Sequence, residues 1–85
     1  MFSAKILNDL GLRSTQKQDF VEAKKYFIEA LQVLESASIN NGNTHLEAVI
    51  HQNLGAILNF QLKFDEAIKH HKKAKTLYGK HFEKD

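Results

Sequence analysis

The second half of this 85-residue chain repeats the first half at a fixed offset of 44 residues. Under that offset Leu10-Gly11 aligns with Leu54-Gly55, and Phe20 aligns with Phe64. The other identical pairs are Ala4 and Ala48, Ile6 and Ile50, Glu22 and Glu66, Ala23 and Ala67, Lys25 and Lys69, and Ala30 and Ala74. Most of these positions are small or apolar, as expected of two copies of one packed unit. The predicted units span residues 3–39 and 44–82, and together they form one domain over residues 1–85.

Apolar residues recur at steps of three and four, which predicts four helices, and no segment alternates as a strand does. Helix one follows Ser3 as its N-cap. A capping box, Asp19 with Glu22, opens helix two, which runs to about residue 39, and Thr44 with Glu47 opens helix three in the same way. Helix four starts near Phe64. The stripes at helical spacing that define the four helices are Ile6, Leu7, Leu10 and Ser14; Phe20, Ala23, Phe27, Ala30, Leu31 and Leu34; Leu46, Val49, Ile50, Leu54, Ile57 and Leu58; and Phe64, Ala67, Ile68, His71, Ala74, Tyr78 and Phe82.

The composition excludes several classes of protein. Cysteine and proline are both missing, so disulfides and cysteine-based metal sites are ruled out. The chain holds no apolar run of the ~20 residues that a membrane span needs, and its N-terminus does not resemble a signal peptide. We therefore expect an intracellular protein, cytoplasmic or nuclear, that does not associate with membranes.

Charge is concentrated at one end of the chain. Residues 63–85 hold seven lysines against four acidic residues, whereas residues 1–62 hold five basic against six acidic ones. A basic helix attracts anionic partners, but aromatic residues that could stack on bases are not interleaved with these lysines. A solvated helix face is the favoured interpretation, and nucleic-acid binding is disfavoured.

The repeated residues resemble the tetratricopeptide repeat, in which Leu-Gly lies on a first helix A and Ala, Phe and Ala on a second helix B. Here the pattern is Leu10-Gly11 with Ala23, Phe27 and Ala30, and then Leu54-Gly55 with Ala67 and Ala74. In both copies the first alanine follows the glycine by twelve positions, and the second alanine follows the first by seven. Departures include His71 at the helix-B phenylalanine and a 44-residue period in place of the family's roughly 34. Repeats of this length with Asn-Leu-Gly are similar to those of kinesin light chains and related cargo adaptors.

The resemblance implies an all-α solenoid segment of two helical hairpins, and it explains the two helix-interior glycines. Glycine costs about 1 kcal/mol relative to alanine inside a helix. In a tight hairpin that cost is offset, because helix B can approach helix A closely at Gly11 and Gly55. Both glycines are therefore predicted to be packing residues. Neither is expected to bind phosphate, since no glycine-rich loop follows a strand.

No arrangement of side chains indicates catalysis, a metal or a cofactor. His70 and His71 are adjacent, so they point in different directions on a helix. His45 and His51 lie six residues apart, too far for the zinc-protease motif, in which the spacing is four. Because no nucleophile is paired with an orienting base, the chain is predicted to be a non-catalytic protein without a cofactor.

What remains is a surface that could bind another protein. The resemblance implies that the A helices line a concave groove, where amide side chains bind the backbone of a partner peptide. The predicted partner-binding residues are Asn8, Leu12, Gln52, Asn53, Ala56, Asn59 and Phe60, and Lys5, Asp9, Gln16 and Val49 occupy neighbouring groove positions. The basic residues that clamp a C-terminal carboxylate in chaperone-binding relatives are missing, because Asn8, Leu12 and Val49 occupy those positions. Peptide binding and an ordinary polar surface both remain open.

A second hypothesis concerns assembly. About three repeats are normally needed for a stable solenoid, and this sequence contains two. The predicted assembly face of helix four is Phe64, Ile68, His71, Tyr78 and Phe82. This face could contact a further repeat of a longer solenoid or a second subunit of a homodimer, or its lysines could cap a monomer.

Overall fold

Four α-helices form two hairpins in the computed structural model, which describes residues 2–36 and 44–82, with the backbone alone described for residues 80–82. The helices are α1 (Ala4–Gln16), α2 (Phe20–Ser36), α3 (Thr44–Phe60) and α4 (Phe64–Phe82). The described part of the chain contains no strand. α1 packs against α2, α3 packs against α4, and the two hairpins meet mainly where α3 contacts α2. The predicted all-α pair of hairpins is confirmed.

Side chains cap the first two helices as the sequence predicts. The Ser3 hydroxyl oxygen accepts a hydrogen bond from the Ile6 amide at 3.2 Å, and Asp19 Oδ1 accepts one from the Glu22 amide at 3.1 Å. The Glu22 carboxylate accepts a hydrogen bond from the Ser14 hydroxyl at 3.0 Å, which ties α2 to α1. α3 already begins at Thr44, so its capping position, like the predicted end of helix two near residue 39, lies outside the described residues.

Both hairpins turn in the same way. Gln18 and Leu62, which are 44 residues apart, have φ values of 65° and 63°. In each turn the following amide returns to the end of the preceding helix, from Asp19 to the Ser14 carbonyl at 2.9 Å and from Lys63 to the Leu58 carbonyl at 2.8 Å. A left-handed residue followed by this hydrogen bond is a Schellman C-cap. The repeat is therefore preserved in the backbone, although neither turn contains glycine.

One apolar cluster joins the two hairpins. Its buried members are Ala4, Leu7, Ala23, Phe27, Ala30, Ile50, Leu54 and Ile57. Three of these belong to α3, so the first helix of the second hairpin completes the core of the first hairpin. α4 contributes Ala67, Ala74 and Leu77, all buried.

Three residues of the predicted stripes, Ile6, Phe64 and Ile68, are exposed, and one buried residue of α4 was not in its stripe. Ile6 is 46% exposed, because no helix among the described residues covers that side of α1. On α4, Leu77 is buried but was not predicted, whereas the adjacent Tyr78 is only half-buried. A stripe drawn through Tyr78 therefore missed the side chain that points most directly inward.

Candidate functional site

The spacing of glycine and ring is the same in both repeats, and it places Phe27 against the backbone of Gly11 and His71 against the backbone of Gly55. A Cβ added at Gly11 would lie 2.6 Å from the Phe27 ring, and one added at Gly55 would lie 2.6 Å from the His71 ring. Such distances are well inside van der Waals contact, so a Cβ at either position would require the ring to move. The prediction that both glycines serve packing is confirmed. His71, predicted to belong to an assembly face, is half-buried and occupies the position that Phe27 has in the first hairpin.

Two of the predicted partner-binding residues bind each other. Asn53 Nδ2 donates a hydrogen bond to Asn8 Oδ1 at 3.0 Å, between α3 and α1. Asn8 is buried, with 6% of its surface exposed, and Asn53 is half-buried. These amides therefore join the two A helices, and they are less accessible to a partner than the sequence suggested.

The other predicted partner-binding residues are exposed. Gln52, Ala56 and Asn59 follow one another at helical steps along one face of α3, and Phe60 lies at its end with 62% of its surface exposed. On α1, Leu12 occupies the position equivalent to Ala56 and is 40% exposed. The two A helices thus present a mixed surface of apolar groups and amides.

Side chains of neighbouring helices contact two of these residues, Phe60 and Gln52. The Phe60 ring stacks on the Phe20 ring with their centroids 4.9 Å apart. Gln52 Oε1 accepts a hydrogen bond from the Tyr78 hydroxyl at 3.1 Å, and the Tyr78 ring contacts the His45 ring edge-on at 5.7 Å. Tyr78, predicted to face outward for assembly, is therefore engaged with α3 within its own hairpin.

The remaining residues of the predicted assembly face divide into exposed and undescribed ones. Phe64 and Ile68 are 55% and 51% exposed and lie one turn apart on α4. Phe82 is the last residue of α4, and its side chain lies outside the described residues. An apolar surface on α4 is therefore present at the Phe64 end.

A histidine pair between α3 and α4 was not predicted. His51 Nδ1 and His70 Nδ1 lie 2.8 Å apart, and the rings stack with centroids separated by 5.1 Å. At that distance one ring nitrogen donates and the other accepts, so the two rings cannot both carry a full positive charge. The sequence contains one signal for this pair. Under the 44-residue offset His51 and His70 replace Leu7 and Tyr26, so two histidines stand where the first hairpin has a leucine and a tyrosine.

The surroundings of the pair favour neutral imidazoles. Burial, which has the largest effect, together with the nearby His70 and Lys73 lowers the pKa of His51 from 6.5 to about 4. Burial also lowers the pKa of His70; Glu66 opposes this effect, whereas His71 and Lys24 reinforce it. Across the described ranges, no group of three or more histidine and carboxylate side chains is placed to hold a metal ion. None of the helices described is both long enough and apolar enough to span a bilayer.

Comparison with known proteins agrees with this geometry. The family model described as tetratricopeptide repeat matches residues 2–80, which include all four helices except the last two residues of α4. Searches among curated proteins and among solved structures returned no match.

Proposed function

Because the chain belongs to the tetratricopeptide repeat family, whose members generally mediate protein–protein interactions, we propose that it is a non-catalytic module that binds a peptide segment of a partner protein along α1 and α3. In this proposal the chain serves as an adaptor or scaffold inside the cell. The observation that carries the proposal is the exposed row on the A helices, where Leu12, Ala56 and Phe60 lie beside the amides of Gln52 and Asn59.

This row has the chemistry that an extended peptide requires. A peptide backbone needs hydrogen-bond donors and acceptors, which an amide side chain supplies together, and its side chains need apolar contacts. Asn59 and Gln52 provide the amides on the exposed face of α3. Phe60 offers a large ring that is already held by its stack on Phe20, so little side-chain entropy is lost on binding.

The experiment begins with a library of random linear peptides displayed on phage and selected against the immobilised 85-residue chain. A selected peptide is then labelled, and its affinity is measured by fluorescence anisotropy for the wild type and for two groove variants, Leu12→Glu and Ala56→Arg. Each substitution alters an exposed side chain, so the fold is expected to persist. We expect each to weaken binding by roughly tenfold or more, which corresponds to the loss of about one well-packed contact.

Val21→Glu is the matched control, because Val21 is an apolar residue of α2 that is 69% exposed and lies outside the A helices. Its affinity should equal that of the wild type. Failure to select any peptide, or equal binding by the groove variants and the control, would reject the A-helix row as the binding surface. Asn53 is unsuitable for this test, since its hydrogen bond to Asn8 is part of the fold.

A further inference from the structure

The outer side of α1 is an uncovered copy of a surface that is buried in α3. Ile6 and Ile50 are equivalent under the 44-residue offset. Ile50 is fully buried in the cluster that α3 shares with the first hairpin, whereas Ile6 is 46% exposed. The difference arises because α3 packs on α2, while no described helix packs on the corresponding side of α1.

The outer side of α4 is, in the same way, an uncovered copy of a surface on α2. Phe20 is half-buried and stacks on Phe60 of the following helix. Its equivalent, Phe64, is 55% exposed, and Ile68 beside it is 51% exposed. α1 therefore exposes a surface like the one that α3 buries against α2. α4 exposes a surface like the one that α2 buries against α3.

The polar contact between the A helices has a complementary equivalent at the two ends. Asn53 donates to Asn8 inside the chain, and the equivalent residues are Asp9 on α1 and Gln52 on α3. Gln52 Oε1 already accepts from the Tyr78 hydroxyl, which leaves its Nε2 amide to donate elsewhere. The exposed Asp9 carboxylate, one oxygen of which pairs with Lys5 Nζ at 3.4 Å, is an acceptor, so the equivalent residues can also form a hydrogen bond, with the donor and acceptor positions exchanged.

We propose that a second copy of this chain binds end to end, with α1 of one copy lying on α4 of the other as α3 lies on α2. Ile6 then takes the place of Ile50, and Gln52 of one copy donates to Asp9 of the next. The interface is heterologous, so each copy keeps one free end and further copies can add. It shares Gln52 with the proposed peptide-binding row, but its apolar contacts lie on the outer sides of α1 and α4, and it does not depend on peptide binding.

Three of the differences from the internal interface are expected to weaken this contact. Arg13 stands in place of Ile57 and Gln16 in place of Phe60 on α1, and Lys75 stands in place of Leu31 on α4. The two ends therefore carry like charges and lack one ring stack. Because salt screens repulsion between exposed charges, the association is expected to be weak at low ionic strength and stronger at high ionic strength.

Two blocking variants test the proposal by sedimentation velocity over a wide range of protein concentration. Ile6→Glu places a charge on the α1 surface, and Phe64→Glu places a charge on the α4 surface. Far-UV circular dichroism checks that both variants remain helical. The wild type should gain mass as concentration rises, whereas each variant alone should remain a monomer. A mixture of the two should form a heterodimer through its one intact pair of ends, and should form nothing larger.

A third variant should strengthen the contact. Arg13→Ile combined with Gln16→Phe gives α1 the residues of α3, and it should tighten association by roughly tenfold or more because it adds buried apolar surface. The matched control, Lys25→Ile combined with Glu29→Phe, adds the same apolar groups to exposed positions on α2 and should leave association unchanged. The proposal is overturned if the wild type stays monomeric at every concentration and salt level. Self-association that survives Ile6→Glu but not Phe64→Glu would equally overturn it, because that result indicates contact between two α4 helices.

Discussion

A ring on the second helix of each hairpin fills the space that a glycine leaves on the first helix. The two hairpins differ in how firmly that ring is held. Phe27 is completely buried, whereas His71 is half-buried, so we expect its ring to move toward solvent more readily. Equivalent glycines therefore have different tolerance for a methyl group.

We predict that Gly11→Ala destabilises the chain and that Gly55→Ala does not. Alanine gains about 1 kcal/mol of helix propensity at either site. At Gly11 the clash with the buried Phe27 ring outweighs this gain, since overpacking costs about 1–3 kcal/mol. At Gly55 rotation of the His71 ring relieves the clash. Urea denaturation followed by far-UV circular dichroism measures both free energies of unfolding.

Gly79→Ala is the control for helix propensity alone, because an added Cβ there meets no atom within 4 Å. This variant should be stabilised by up to about 1 kcal/mol. Equal destabilisation of the Gly11 and Gly55 variants would mean that ring burial does not set the tolerance of these sites.

At the scale of helices, the contact between α3 and α4 contains a histidine pair that has no counterpart in the contact between α1 and α2. The difference comes from His51 and His70, which replace Leu7 and Tyr26 of the first hairpin. The groups around the pair are Glu66, His71 and Lys73 on α4 and Lys24 on α2. Protonation of the pair would place positive charge in a partly buried site that already faces two lysines.

We predict that the chain loses stability as the pH falls from about 6.5 toward 4. The pKa of His51 is lower in the folded state than in the unfolded state, so the unfolded chain binds the proton more readily. The contribution of the pair is therefore complete above pH 6.5 and disappears as the pH falls through the folded pKa of about 4. Thermal unfolding measured across this range checks the prediction.

The matched variant His51→Leu combined with His70→Tyr gives α3 and α4 the pair that α1 and α2 already have. Its melting temperature should change less with pH than that of the wild type between pH 6.5 and 4. An identical pH profile for the two proteins would assign the acid sensitivity to other groups.

At the scale of the whole molecule, the two repeats are joined by apolar and polar contacts of α3 with the first hairpin. Ile50, Leu54 and Ile57 complete the apolar cluster. The hydrogen bond from Asn53 to Asn8 adds a polar contact between α3 and α1. Because α3 is part of the second hairpin and also packs into the core of the first, the hairpins are expected to unfold together.

We predict that Asn53→Ala destabilises the whole chain by about 1–3 kcal/mol, because it leaves the buried Asn8 amide without its partner. Replacing both residues together, Asn8→Ala with Asn53→Ala, should cost less than the sum of the two single alanine changes, since no amide is left without its partner. Denaturant unfolding of the four proteins in this cycle gives the coupling energy. Asn59→Ala, at an exposed position, serves as the control and should change the free energy of unfolding by less than about 0.5 kcal/mol. Additive effects of the changes at Asn8 and Asn53 would show that the hydrogen bond does not couple the two residues.

Much of the fold could be predicted from residue spacing. Repeated Leu-Gly and alanine positions predicted two hairpins, and Ser3 and Asp19 predicted where α1 and α2 begin, because packing and capping depend on residues close together in the chain. Part of the candidate surface was also predictable, since Ala56 and Asn59 are exposed on one face of α3. The similarity to kinesin light chains and the identity of any partner remain predictions.

The sequence by itself determined the helices, the repeat and the glycine contacts, because helical periodicity and the need for a small residue beside a ring are local properties. Only the tertiary structure decided which residues remain available to a partner. Asn8 and Asn53 bind each other across 45 positions of sequence, and His51 meets His70 across 19. Ile6 is exposed while its copy Ile50 is buried. Identical residues thus have different environments because burial depends on the neighbouring helix, and the two repeats have different neighbours.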